Sequence, residues 1–283
     1  MFIHAVSQFV APPAANPRTL KEVLKGYTDT PFRRVNKFIL LALVGAHRCV
    51  RGRTLNGNAS VYLTTENGNL GDTNNVLDQL YRQHSLPMPF SFINTMSNTA
   101  PFYVAQSLNV LGRNLSISGL GLSFERGLEL ARLDFDPGSV EEALIGAVDE
   151  APPEGGAVHL AVEGSFWIHV KKARDGALGE VAEVRSFPDR EALAAWCEEE
   201  PVLPPGRGLL ACGAAVPHEE RTDWQRRTGL AVFDYGADYG PFDTVTAYGI
   251  TKFLETSPST SLLHINRNGQ GRYVALILHR YGS

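Results

Sequence analysis

The stretch Asn114–Ala131, NLSISGLGLSFERGLELA, constrains this chain most. Leu115 to Ser118 alternates as a short strand. Gly119-Leu120-Gly121-Leu122 predicts a tight turn, and Leu122, Leu128 and Leu130 give the next segment the apolar stripe of a helix. A strand that feeds a helix in this way gathers unpaired backbone N–H groups at one point, a common place for a nucleophile or an anion. The turn itself carries no nucleophile. Ser123, one residue further on, is the nearest candidate, and its ordinary role is a helix-start hydroxyl bonded to backbone N–H groups.

Strand and helix patterns alternate on both sides of this stretch, which gives an α/β class with mixed sheets. The pattern predicts strands over residues 2–10, 61–65, 140–148, 157–162, 165–170, 180–185, 209–211 and 230–233, with a final hairpin from 262–265 and 273–279. It predicts helices over 20–26, 98–111, 190–199, 219–227 and 244–254, and another through Val76, Leu77 and Leu80 capped by Asp72 or Thr73. A long helix is expected from Thr30-Pro31, with Phe32, Val35, Phe38, Ile39, Ala42, Leu43 and Ala46 inward and Arg33, Arg34 and Lys37 outward. PMPFSFINTM reads as extended, Glu163-Gly164 as the joint between two strands, and APPEGG as a loop. The halves 1–150 and 151–283 echo one another, each with a strand, a glycine turn and a helix.

Charge and cysteine content narrow the function. A net charge of −4 with a pI near 6.1 argues against nucleic acid. The one basic cluster, Arg33, Arg34, Lys37, Arg48, Arg51 and Arg53, reads either as a solvated helix face or as a docking patch for an acidic partner. Cys49, Cys197 and Cys212 lack the spacing of a zinc site or a redox dithiol, and the histidines lack metal spacing, so no metal and no cofactor are expected. No signal peptide is evident, and the longest apolar run, Phe38 to Ala46, is too short to span a bilayer. A soluble, cytoplasmic protein is the expectation.

Residues 89–131, PFSFINTMSNTAPFYVAQSLNVLGRNLSISGLGLSFERGLELA, resemble the β-ketoacyl-ACP synthases of the thiolase superfamily. Further likeness lies in PFRRVNKFILLALVGAHRCV, ALIGAVDE, EGSFWIHVKKARDGALGEVAEVRSF and HINRNGQGRYVALILHR, so it covers nearly the whole chain. The resemblance implies a thiolase-like fold, layered α-β-α-β-α with two mixed sheets from two pseudo-repeated halves, trimmed of the usual insertions. It also shows what is missing. The family's nucleophilic cysteine falls on Gly121, its first histidine on Cys212 and its second near Tyr239. Its lysine falls near Asp234 and its gating phenylalanine near Gly269, and His218 is the nearest histidine to either motif. Condensation needs a thiolate and donors for an enolate oxygen, and these positions supply neither.

The resemblance therefore implies a catalytically silent subunit like the chain length factors of aryl-polyene, type II polyketide and related fatty-acid-like systems. Its partners would be an active ketosynthase and, through that subunit, an acyl carrier protein. It places Leu115, Ser116, Ile117 and Ser118 at the interface and makes Phe92, Thr95, Met96, Thr99 and Phe102 candidates for the tunnel wall. Two alternatives stand beside it: a divergent acyltransferase or hydrolase using Ser123, Cys212 or His218, and a homodimeric acyl-chain binding protein.

Overall fold

The computed structural model describes residues 1–11, 15–151, 163–199, 202–203, 208–240, 242 and 244–281. The strand expected over 157–162 and the loop APPEGG lie mostly outside them. The first five strands are β1 (Phe2–Ala11), β2 (Ser60–Thr64), β3 (Asn114–Ile117), β4 (Glu142–Asp149) and β5 (Glu163–Lys171). The next five are β6 (Gly179–Phe187), β7 (Leu209–Cys212), β8 (Ala231–Val232), β9 (Ser261–Arg267) and β10 (Tyr273–Arg280).

The strand order falls into two sets, and β5, which lies beyond residue 150, belongs to the first. From its free edge the first set runs β3-β2-β4-β5-β1, and from the other edge the second set runs β8-β7-β9-β10-β6. Numbered within each set, the two orders are the same. The parallel and antiparallel pairings repeat as well, β2 with β3 and β4 matching β7 with β8 and β9. The sets join through a brief pairing of β1 with β6, Phe2 opposite Glu180 and Ile3 opposite Gly179.

The central strands β4, β5 and β9 are buried on both faces, and alternation along the strands sorts side chains into three cores. Tyr62, Ile145, Phe166, Ile168, Leu276 and Leu278 face a middle layer made by α6 (Ser123–Phe135) and α9 (Val245–Thr256). Val61, Leu63, Leu144, Val148 and Trp167 face outward to α1 (Pro17–Lys25), α2 (Lys37–Cys49) and α5 (Thr99–Leu108). Leu210, Leu263, Ile265 and Ala275 face α7 (Arg190–Glu199) and α8 (His218–Thr228). The result is α-β-α-β-α.

Several boundaries differ from the sequence pattern. The helix expected from residue 30 starts at Lys37, where the Asn36 side chain caps the Ile39 N–H at 2.9 Å. Residues 28–36 are not helical, and Arg34 sits at φ 57° with its guanidinium 4.5 Å from the Phe90 ring centre. Once started, α2 is buried continuously from Phe38 to His47, because α1 and α5 cover the side that sheet strands do not. Lys37 is not an outward charge but reaches the buried Glu163. The helix α3 (Leu70–Tyr81) is capped by Asn69, one turn earlier than Asp72 or Thr73. Residues expected to be extended form the short helix α4 (Pro89–Asn94), whose proline sits at the start where its missing N–H costs nothing. Glu163 and Gly164 belong to β5, both paired with β1 and Gly164 also with β4.

Trp167 shows how closely the layers approach. A methyl group on Gly146, its cross-strand partner, would lie 2.3 Å from the indole, and one on Gly45 of α2 would lie 2.6 Å from it. Trp167 thus fills the space that two glycines leave between α2 and β4. Gly146→Ala should lower the unfolding free energy by about 1–3 kcal/mol, read from urea denaturation; an unchanged midpoint would show that the indole can move aside.

Candidate functional site

The turn between β3 and α6 is built from two successive left-handed residues, Leu120 at φ 52° and Gly121 at φ 89°. It brings the start of α6 to the surface, with Leu120 71% exposed. The backbone N–H groups here already have an acceptor. Gly121 N–H donates to Glu66 Oε2 at 2.7 Å and Ser123 N–H to Glu66 Oε1 at 3.0 Å. A carboxylate from the loop after β2 thus sits on the helix N-terminus, where both the N–H donors and the helix dipole favour negative charge.

That loop is itself held in place. Asp149, at the end of β4, accepts from Thr65 Oγ1 at 2.5 Å, Glu66 N–H at 3.0 Å and Asn67 N–H at 3.2 Å. Ser118 Oγ donates to the Glu66 carbonyl at 3.2 Å. Ser123 takes the ordinary helix-start role expected of it: its Oγ accepts from Gly119 N–H at 2.8 Å and donates to the Thr65 carbonyl at 3.0 Å.

Below the turn lies a buried polar cluster. Asn266 Nδ2 donates to Glu125 Oε1 at 2.7 Å and lies 3.3 Å from both the Gly121 carbonyl and Thr246 Oγ1. Glu125 is 1% exposed, and burial pushes its carboxyl up to about 7. Asn266 also touches the end of β7, since a methyl group on Gly213 would lie 1.9 Å from its Oδ1. Tyr235 O–H and His264 Nε2 are 2.8 Å apart, and burial holds His264 down to about 3 and raises the Tyr235 phenol.

The positions singled out from the sequence fall unevenly around this centre. Gly121 is at the turn, and a side chain there would point towards Asn268 of the β9–β10 turn, 3.8 Å from its Cα. Cys212 ends β7 beside Gly213, and burial pushes its thiol up to about 12. Tyr239 lies in a turn six residues before α9, 42% exposed, with its ring edge-on to Tyr248. Asp234 and His218 line one cavity with Cys212, and Gly269 stands open in the β9–β10 turn. Glu66, Glu125 and Asn266 escaped sequence reading. Glu66 lies in the polar loop ENGNLGDTNN, which has no helical or strand period to mark it.

The strand β3 is the free edge of the first set, carrying Leu115, Ser116 and Ile117, with Ser118 just beyond. Phe92 on α4, Met96 between α4 and α5, and Phe102 on α5 are more than half exposed, as are Met88 and Tyr81. Thr95 and Thr99 instead turn their hydroxyls onto the Phe92 and Ile93 carbonyls. Within this chain Phe92, Met96 and Phe102 stand as exposed apolar side chains, whereas Thr99 is buried. Among the described residues no cluster could hold a metal ion, and no helix is long and apolar enough to cross a membrane.

No family model and no curated protein sequence matches the chain. Solved structures do. The ishigamide ketosynthase/chain length factor superposes with a TM-score of 0.74 over 99% of both chains at 16% identity. The chain has the thiolase-like fold of the ketosynthases. A type II polyketide synthase acyl-carrier protein in complex with its ketosynthase, AntDE:AntF, matches at 0.71 over 99% of both chains with 12% identity. The ketosynthase ApeO in complex with its chain length factor ApeC, from Xenorhabdus doucetiae, matches at 0.57 over 99% of this chain and 100% of that one with 11% identity.

In this ketosynthase-like fold Glu125 makes stability depend on pH. Its folded-state value of about 7 exceeds the ordinary 4.5, so the folded chain holds the proton more tightly. The stability it contributes is complete below about 4.5 and is lost as pH rises through about 7. The loss is on the order of 3 kcal/mol. Glu125→Gln, which keeps the acceptor for Asn266, should match the parent at pH 4.5 and exceed it at pH 8 in chemical denaturation. Equal midpoints at both pH values would show that Glu125 is not held neutral.

Proposed function

We propose that this chain is a chain-length-factor-like subunit that performs no condensation itself, joins an active ketosynthase and shapes the tunnel in which an acyl chain grows. The carrying observation is the start of α6. Gly121 has no side chain to form a thioester, and the N–H groups of Gly121 and Ser123 are taken by Glu66. A carboxylate fixed there repels the developing oxyanion that such donors would stabilise. The solved structures that share the fold include ketosynthase and chain length factor pairs and a carrier-protein complex. They support a ketosynthase partner, with the acyl carrier protein reaching the pair through that subunit; a polyene or polyketide product follows from the same reading.

The joining face is the β3 edge with the apolar surface of α4 and α5. Val61 N–H donates to the Arg113 carbonyl at 2.7 Å and Thr65 N–H to that of Ile117 at 3.0 Å, so residues 113, 115 and 117 turn their backbone groups to β2. By alternation Ser116 turns its N–H to the free edge, where a second strand can pair with it. Phe92, Met96 and Phe102 would then gain cover from the partner and form part of its tunnel wall.

A divergent acyltransferase or hydrolase is the second reading, favoured by one observation: Cys212 and His218 line the same cavity. Against it, burial keeps Cys212 a thiol, and Ser123 Oγ is committed to the Thr65 carbonyl.

Co-expression with a ketosynthase from the same genome should yield a complex of one copy of each by native mass. Ser116→Pro should abolish that complex while leaving the thermal midpoint of this chain unchanged, because it removes only the edge N–H. A variant that still assembles would move the interface away from β3. Phe102→Ala should lengthen or broaden the products of the complex, and an unchanged product profile would take Phe102 out of the wall.

A further inference from the structure

The repeated strand order makes the two sheet ends comparable. At the ends of β2 and β3 the crevice is closed by Glu66 on the start of α6. At the equivalent ends of β7 and β8 the described residues leave it open. A cavity of about 330 Å3 lies there, lined by Cys212, Arg221, Asp234, Tyr235, Gly236 and Val245 among others. A second cavity of about 150 Å3 shares Cys212, Arg221 and Asp234 with it. Crevices outside the carboxyl ends of parallel strands are the usual ligand position in α/β sheets.

Arg221 is what gives this crevice a chemistry. Its Nε donates to the Val216 carbonyl at 2.8 Å, and its Nη2 to the carbonyls of Gly213 at 3.1 Å and Ala214 at 3.3 Å. The guanidinium is therefore fixed against the loop after β7 instead of swinging free in solvent. Among the described residues Nη1 has no acceptor and no carboxylate pairs with Arg221. The other arginines of α7 and α8, Arg190, Arg226 and Arg227, all pair with Asp223. Val245, the first residue of α9, also lines the cavity, so the positive end of that helix dipole acts in the same direction. Among the described residues Asp234 is the one opposing charge on the wall, with its Oδ1 accepting from Gly236 N–H at 3.1 Å.

We propose that this crevice is a binding site for a small oxyanion, a carboxylate or a phosphate, held by the free Nη1 edge of Arg221. A guanidinium already oriented by three carbonyls loses little freedom on binding, and its planar fork suits both kinds of anion. The site is independent of the β3 interface, and its success or failure leaves that reading untouched.

Isothermal titration of the full chain with inorganic phosphate and, separately, with acetate tests it, against chloride at matched ionic strength. Saturable binding of phosphate alone identifies a phosphate group as the ligand, and of acetate alone a carboxylate. Arg221→Gln should weaken binding by about tenfold or more. Arg221 also braces the loop at 213–216, so a second variant is needed. Asp234→Asn leaves that brace intact and should tighten binding about threefold by removing the opposing charge. Heats no different from chloride for both anions overturn the proposal. So does saturable binding that Asp234→Asn or Arg221→Gln leaves unchanged.

Discussion

The contact on which the first half of this fold rests is the Glu66 carboxylate on the N–H groups of Gly121 and Ser123. A helix that begins between two sheets has unpaired donors and a concentrated positive potential at its start. Something must satisfy them, and hydrogen bonds to a charged acceptor contribute about 1.5–3 kcal/mol each. Here the acceptor comes from a residue 55 positions earlier, held by Asp149 at the end of β4. The contact therefore ties β2, β3, β4 and α6 into one unit. It also occupies the N–H groups that the turn presents at the start of α6.

The second half uses the same strand order with a different outcome. Its polar groups turn inward, Asn266 to Glu125 and Tyr235 to His264, and the turn after β7 requires glycine at 213 to make room for Asn266. Burial shifts Glu125 and His264 towards their neutral forms, which allows an uncharged hydrogen-bonded cluster between the sheets. At the rim stand Arg221 on one wall and Asp234 on another. One half is sealed by its own carboxylate and the other is left open around a cation.

Much of this was legible in the sequence, and the exceptions have physical causes. The β3–turn–α6 unit, α7 to α9 and the closing hairpin lie close to where the residue pattern puts them. The start of α2 departs from the sequence pattern because Phe32 and Val35 continue the helical spacing, although Asn36 caps a helix that begins only at residue 37 and Arg34 is left-handed. Lys37 looked like surface charge, yet its partner Glu163 lies 126 residues away. Glu66 was hidden for the same reason: nothing local marks a loop carboxylate as the cap of a distant helix. The glycine turn at residue 121 could be read from the sequence, but the carboxylate that sits on it could not.

The central claim is that this chain carries the ketosynthase frame without accepting the acyl group. The most direct measurement is intact-mass analysis of both subunits after the purified complex is incubated with acyl-loaded carrier protein. An acyl adduct on the ketosynthase and none on this chain is the predicted result. An adduct on this chain, at Cys212, Ser123 or elsewhere, would contradict it.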